Sequence, residues 1–320
     1  MSRREAAAGV TNMLARGLRL CLGVEAAILL VASAWLVRTT GWSSGRAAVL
    51  AIAAFLIVNS APLIIAYPIS LHSRPRLSSI VRRGILRVLA GMLREWLAFL
   101  ALYLLIQPFE RWWMGSDAVG RPGERQPVVL LVHGYLSNRG LWWWLRRRLR
   151  AQGFAVATVN LEPPFADIDL LAEQLHARIE TLAAEAGVER VALVAHSMGG
   201  LTARAYLRRH GGRRLATLVT LGSPHHGSRI ASLAPGRNAR QMQPDSDWLR
   251  QLSEAESFAM PVVSYWSADD ELVVPQDSCR LAGTDEVIFA GLGHLSMPVS
   301  RAVAQRLQAE LSSAGRAASA

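Results

Sequence analysis

Residues 191–200, VALVAHSMGG, constrain the fold of this chain more than any other stretch. Its first half is apolar and rich in valine, which is typical of a strand covered on both faces. Ser197 stands at a break, two glycines follow where a tight turn needs residues without a Cβ, and residues 201–209 (LTARAYLRR) have helical spacing. A strand that turns sharply into a helix at a serine pushes the hydroxyl into a cleft. The usual motif has glycine two residues before the serine, and here Ala195, the next smallest residue, takes that place.

The sequence after residue 126 alternates between apolar strands and helices, which predicts an α/β fold with a parallel sheet covered by helices on both faces. Strands are predicted at 127–132, 154–159, 191–196, 215–221, 260–266 and 286–290, and helices at 141–151, 170–184, 201–209 and 299–311. Residues 229–252 have weak periodicity and are interpreted as a lid over the cleft. Active groups in such sheets lie at the carboxyl ends of strands.

Five motifs together resemble the α/β-hydrolase fold superfamily, and within it the bacterial lipase/esterase-like serine hydrolases. They are VHGY at 132–135, AHSMGG at 195–200, LGSPHHGS at 221–228, SADDELVVP at 267–275 and GLGHLS at 291–296. The resemblance spans roughly residues 127–313 and does not cover the segments before them. It implies an α/β-hydrolase domain and serine hydrolysis, and it says little about the substrate.

The family order of serine, acid and histidine implies a catalytic triad of Ser197, Asp270 and His294. Of the eight histidines, only His294 lies beyond the acid and directly after a strand. Asp270 has the better spacing, D-x-x-V-x-P, and Asp269 remains the alternative. The resemblance also implies an oxyanion hole formed by the backbone N–H groups of Met198 and of Tyr135 or its neighbour.

The implied chemistry is acyl transfer through an acyl-enzyme, and it needs no metal and no organic cofactor. His225 and His226 could suggest a metal site, but no carboxylate or cysteine is spaced to complete one. We therefore expect a carboxylic-ester hydrolase acting on an acyl-ester or lipid substrate. An amidase, a thioesterase or an acyltransferase would use the same triad. A catalytically silent membrane scaffold is the alternative from another class.

The first 107 residues are apolar and predict a membrane anchor. Helices are predicted at about 20–37, 47–67 and 85–106, and the second is long enough to cross a bilayer. Arginines before the first segment and after the second favour a hairpin with both ends on the cytoplasmic side. The third segment carries Arg94 and Glu95, which are costly at mid-bilayer, and its one-sided arginines indicate a helix lying on the membrane. If it spans instead, the following domain is periplasmic.

These patterns divide the chain into an anchor at 1–107, a linker at 108–126, a hydrolase domain at 127–313 and a disordered tail at 314–320. The net charge is +11, and all 35 basic residues are arginine. No basic–aromatic module for nucleic acid is visible, so attraction to anionic membrane lipid is the better interpretation. We expect an integral protein of a bacterial inner membrane, with its hydrolase domain on the cytoplasmic face. The sequence leaves its oligomeric state open.

Overall fold

The structure is a computed structural model of the 320-residue chain, and it describes residues 12–73, 85–117, 119, 126–254 and 257–318. The arginines predicted to flank the second apolar segment (Arg74, Arg76, Arg82 and Arg83) and most of the predicted linker after residue 117 lie outside the described residues.

A six-stranded parallel sheet forms the centre of the fold, in the order β2-β1-β3-β4-β5-β6. The strands are β1 (Val128–Val132), β2 (Ala155–Val159), β3 (Val191–His196), β4 (Leu215–Leu221), β5 (Val262–Ser267) and β6 (Asp285–Phe289). Each begins and ends within two residues of the prediction. All residues of β1 and β3 are buried, as expected for interior strands covered on both faces. The predicted fold class is confirmed.

In the part of the chain that the structure describes, ten α-helices surround or precede this sheet. They are α1 (Met13–Thr40), α2 (Ser44–Ser73), α3 (Ile85–Leu100), α4 (Glu110–Met114), α5 (Trp143–Ala151), α6 (Ile168–Ala186), α7 (Met198–His210), α8 (Arg237–Gln241), α9 (Asp247–Ser253) and α10 (Arg301–Ala318). A π-helical turn, Ala101–Ile106, continues α3. Helices α6 and α7 cover one face of the sheet, and α5 and α10 cover the other together with parts of α2, α3 and α4.

Two segments differ in detail from the sequence-based division. Residues 110–114 of the predicted linker form α4, whose Met114 is buried against the sheet-covering helices. The last helix continues to Ala318, into the stretch expected to be a tail. The predicted lid at 229–252 consists of a 3₁₀ turn (Arg229–Leu233) and the short helices α8 and α9.

Within the described residues, three apolar helices are long enough to cross a membrane: Met13–Thr40, Ser44–Ser73 and Leu86–Ile106. The first two form an antiparallel hairpin, joined at Gly41 in the left-handed conformation. At about 1.5 Å per residue, the hairpin's 28- and 30-residue helices exceed the ~30 Å hydrocarbon core. Within the hairpin, the side-chain amide of Asn59 donates to both carboxylate oxygens of Glu25, at 3.1 and 2.9 Å. This pairing satisfies the polar groups of Glu25 and Asn59 within the apolar hairpin.

Both open ends of the hairpin contact the α/β domain. Asn138 of the domain donates to Asn12, the N-cap of α1. At the other end, the hydroxyl of Ser70 in α2 donates to the carbonyl of Asp270 at 3.0 Å.

The second half of helix α3 packs against the domain. Its Glu95 and Phe99 are buried, and Leu102 and Ile106 of the π turn share one apolar cluster with β1. The opposite face exposes four leucines, Leu86, Leu89, Leu93 and Leu97. Helix α3 and the π-helical turn therefore contribute side chains to the core of the domain, and α3 also has an exposed apolar face.

Candidate active site

Ser197 lies in the turn between β3 and α7, at the carboxyl end of an interior strand. Its backbone angles are φ 55° and ψ −127°, a conformation that residues with a Cβ rarely adopt. The turn is held by the Ser197 N–H, which donates to the carbonyl of Leu221 at 2.9 Å. Close packing explains the first of the two glycines, because a Cβ at Gly199 would lie 2.7 Å from the carbonyl oxygens of Val132 and His133.

The segment after β1 lies directly against Ser197. A Cβ at Gly134 would be 2.7 Å from the Ser197 Cβ and 3.3 Å from the Met198 nitrogen. Met198 is the first residue of α7, so its N–H has no acceptor within the helix. The hydroxyl of Tyr135 donates to the carbonyl of Pro235 at 2.7 Å and ties this segment to the predicted lid. The structure thus places Gly134, the residue before Tyr135, against both Ser197 and Met198.

Asp270 and His294 form a buried hydrogen-bonded pair. The Nδ1–H of His294 donates to Asp270 Oδ2 at 2.7 Å, and both side chains are almost completely buried. The other carboxylate oxygen accepts the N–H groups of Leu272 and Val273, each at 2.8 Å, which fixes the rotamer of Asp270. Burial disfavours the imidazolium, but the neighbouring Asp270 carboxylate outweighs it, and the pKa of His294 is raised above 6.5.

The pair lies beside the serine turn. The ring of His196, the residue before Ser197, is 4.5 Å from the ring of His294 between centroids, and its Nε2–H donates to the carbonyl of His294. A Cβ at Gly222, after β4, would be 3.2 Å from His294 Nδ1. The ends of β3, β4, β5 and β6 therefore converge on one place, as the parallel topology predicts.

The adjacent Asp269 binds elsewhere. Its Oδ2 accepts the N–H of Gly291 at 2.6 Å, and its side chain is only partly buried. Of the two alternatives left open by the sequence, the structure brings Asp270 to His294.

Three other histidines near the site are neutral and structural. Burial lowers the pKa of His133 to about 4, and its ring bridges two backbone groups, donating to Gly134 O and accepting from Leu161 N–H. Burial, followed by the nearby charge of His294, lowers the pKa of His196 well below 6.5. Burial also lowers the pKa of His225, whose ring contacts the hydroxyl of Thr220.

Within the described parts of the chain, no group of three His, Cys, Asp or Glu side chains is arranged to hold a metal ion.

The apolar helices contribute two contacts that the sequence analysis missed. Ser70 of α2 binds the main chain of Asp270, and Glu95 of α3 accepts the N–H groups of Leu295 and Ser296. In the sequence, the one signal for the second contact is an acid within an apolar segment, which is costly in a bilayer unless it has a partner.

Comparisons with known proteins agree with this geometry. A family model of the alpha/beta hydrolase fold matches residues 127–245. A triacylglycerol lipase of Pseudarthrobacter phenanthrenivorans is 33% identical over 115 residues, covering 33% of this chain and 35% of that relative. A triacylglycerol lipase of Burkholderia plantarii is also 33% identical over 115 residues, covering 33% of this chain and 32% of the relative. The chain thus spans about a third of the length of the curated relatives it matches.

Among solved structures, the mature form of the lipase BlEst2 from Bacillus licheniformis has a TM-score of 0.54 and 18% identity. The match covers 60% of this chain and 96% of that chain, so it extends across nearly the whole of a lipase fold. The chain therefore has an α/β-hydrolase fold and is similar to lipases and esterases. Among its described residues, three apolar helices that could span a membrane come before this fold. This confirms the resemblance inferred from the five motifs.

Proposed function

We propose that the protein is a membrane-anchored serine hydrolase that cleaves carboxylic esters through an acyl-enzyme. The observation that carries the proposal is the buried His294–Asp270 hydrogen bond of 2.7 Å beside a strained serine turn at the end of β3. Activated serines need a base within reach and a third group that orients the base. The similarity to two triacylglycerol lipases supports the same conclusion.

Each triad member has a defined role in this mechanism. The Ser197 hydroxyl attacks the ester carbonyl while Nε2 of neutral His294 takes its proton. Asp270 holds the imidazole in the Nδ1–H tautomer and stabilises the imidazolium that forms. His294 then protonates the leaving alcohol, and water, activated by the same imidazole, releases the acyl group and regenerates the serine.

Backbone N–H groups stabilise the tetrahedral intermediate in this proposal. The N–H of Met198 has no acceptor within the helix, and Gly134, next to Tyr135, lies against Ser197 and Met198. These contacts support the backbone N–H groups of Met198 and Tyr135 as the two donors. Loss of one such donor costs about 2.7–4 kcal/mol of transition-state stabilisation in enzymes of this kind.

The structure supports a particular placement in the membrane. The hairpin α1–α2 is proposed to span the bilayer, with both open ends at the α/β domain. Helix α3 is proposed to lie at the membrane surface, because its second half and the π-helical turn pack into the domain while four leucines on the opposite face stay exposed. Its exposed leucines would enter the acyl-chain region while Arg87 and Arg94 stay at the headgroups. The arginines Arg16 and Arg19 near the domain favour the cytoplasmic side.

An acyl chain is the substrate feature that the site favours. Phe165 and Leu233 are large, exposed apolar residues. The Phe165 ring lies 6.2 Å from that of Tyr135, and Leu233 belongs to the 3₁₀ turn of the predicted lid. The bilayer holds such chains close to the domain, so we propose that the substrate is a lipid ester.

Hydrolysis assays on the full-length protein in vesicles test this proposal. The substrates are short and long p-nitrophenyl esters, a triacylglycerol and a phospholipid, and each is assayed with wild type and Ser197→Ala. We expect ester cleavage that Ser197→Ala abolishes. Activity confined to amides or soluble peptides would contradict the proposed function.

A further inference from the structure

Glu95 of α3 is buried inside the loop that carries His294. The side chain is 0% exposed, although its helix presents leucines to the outside. Its two carboxyl oxygens accept the N–H of Leu295 at 2.5 Å and the N–H of Ser296 at 2.9 Å, across 200 and 201 residues of sequence. A carboxylate that receives two charge-assisted hydrogen bonds in a buried site is a strong and directional contact.

The His294 loop is shaped around this carboxyl group. A Cβ at Gly293 would collide with the Glu95 carboxyl and lie 2.7 Å from Glu271 Oε2. The hydroxyl of Ser296 both donates to the carbonyl of Gly293 and accepts its N–H, closing the turn. The tight loop leaves His294 little freedom to move independently of Glu95.

Glu271, which follows Asp270, completes the arrangement. Its Oε2 accepts the N–H of His294 at 3.2 Å, so three successive N–H groups, 294 to 296, are bound by two carboxyl groups. Burial, the charge of Glu95 and the charge of Asp270 raise the pKa of Glu271 well above its usual range. Two carboxyl groups this close do not both ionise, and the neutral Glu271 can donate its proton in a hydrogen bond to Glu95.

From these contacts we propose that Glu95 is a positioning residue for His294, and that α3 is therefore a structural component of the active site rather than a detachable anchor. This inference rests on the proposed hydrolase function. The Glu95 carboxylate fixes the backbone on the C-terminal side of the base, while Asp270 fixes its ring.

The charge of Glu95 also affects the pKa of His294, so its positioning role can be measured separately from its effect on stability. The ring faces Asp270, the neutral ring of His196 and, behind its backbone, the pair Glu95 and Glu271. The negative charge of Glu95 is one of the causes that favour the imidazolium of His294. Removing it should lower the pKa of the base as well as loosen its loop.

The test compares Glu95→Gln with Glu25→Gln in the full-length protein in vesicles. Both replace a helix carboxylate by its amide, but Glu25 binds Asn59 within the hairpin. With a soluble p-nitrophenyl ester, we expect Glu95→Gln to lower kcat about 10- to 100-fold, as for a misplaced reacting group, with KM little changed. The acidic limb of its kcat profile should also move to lower pH. Glu25→Gln should keep the wild-type kcat and pH profile.

Variants of Glu271, the acid beside Glu95, provide a second test if Glu95→Gln does not fold. Glu271→Gln retains an N–H donor for Glu95, whereas Glu271→Leu does not. We expect the glutamine variant to keep a kcat several-fold higher than the leucine variant. Equal kcat values for these two, or a folded Glu95→Gln with wild-type kcat and pH profile, would overturn the positioning role. If wild type itself cleaves no ester, the proposed function fails instead, so the two failures are distinguishable.

Discussion

Asp269 and Asp270 are neighbours in sequence, but their carboxylates bind different partners. Asp270 holds the imidazole of His294, and Asp269 holds the N–H of Gly291. We expect Asp270→Asn to lower kcat about 10⁴-fold, because the amide stabilises the wrong imidazole tautomer. Asp269→Asn, the matched control, should stay within about tenfold of wild type, since the hydrogen bond of Asp269 with the Gly291 N–H lies outside the triad. Steady-state kinetics on a p-nitrophenyl ester measure both, and a larger loss in Asp269→Asn would contradict the assignment.

The pKa of His294 sets the pH dependence of the proposed reaction. The base acts in its neutral form, and its pKa lies above 6.5 because of Asp270. Activity should therefore be complete above this raised pKa and fall as the pH decreases through it. A kcat/KM profile from pH 5 to 9 is the measurement. An acidic limb below pH 6 would show that Asp270 does not raise the pKa.

At the residue scale, the local motifs carried most of the information. The strand–turn–helix pattern and the order of the acidic and histidine residues predicted Ser197, Asp270 and His294. In the structure Asp270 binds His294, and the ring of His196, next to Ser197, lies 4.5 Å from that of His294. The sequence did not indicate Glu95 or Ser70 as parts of it. Their partners, Ser296 and Asp270, lie about 200 residues away, and a contact at that separation follows from topology, not from local spacing.

Helix α3 differs from the hairpin helices in what its two faces contact. A nitroxide at Leu93→Cys, in a Cys21→Ser background, should lie about 5–10 Å into the headgroup and acyl boundary, as for a surface helix. The same label at Ile28→Cys, midway along α1, should lie near the bilayer centre. Depth-resolved electron paramagnetic resonance in vesicles measures both positions. A Leu93 label as deep as the Ile28 label would show that α3 spans the membrane.

Element positions were predictable wherever a period was clear. The six strands and the elbow helix match the sequence because buried parallel strands are short apolar runs bounded by turns. The sequence pattern did not predict the two helices of the lid segment, because α8 and α9 have only five and seven residues. A run that short shows too little periodicity to be identified.

The apolar helices and the α/β domain share one core, which makes the domain dependent on them. Phe99, Leu102 and Ile106 pack in the cluster that covers β1. Each such side chain contributes about 1.5–3 kcal/mol, so together they supply about 5–9 kcal/mol. That is comparable to the ~5–15 kcal/mol stability of a whole domain.

Truncation tests this dependence. We expect a fragment of residues 126–320 to be aggregated or molten, whereas a fragment of residues 85–320 should fold in detergent. Size-exclusion chromatography and thermal melting by circular dichroism are the measurements. A monomeric 126–320 fragment with the melting temperature of the longer one would contradict the shared core.

This shared core is the feature of the whole molecule that the sequence did not predict. Composition separates the first 107 residues from the rest, so the chain was divided into an anchor, a linker and a domain. The burial of Phe99 and Glu95 depends on how the two parts pack, and hydrophobicity alone does not distinguish a lipid-facing side chain from a core-facing one.

Covalent labelling of the full-length protein in membranes with a fluorophosphonate tests most directly whether Ser197 is an activated nucleophile. This reagent requires a serine activated by its neighbouring base. We predict that wild type becomes labelled, that mass spectrometry maps the adduct to Ser197, and that Ser197→Ala remains unlabelled. Folded wild type that is not labelled, or an adduct on another serine, would contradict the proposed site.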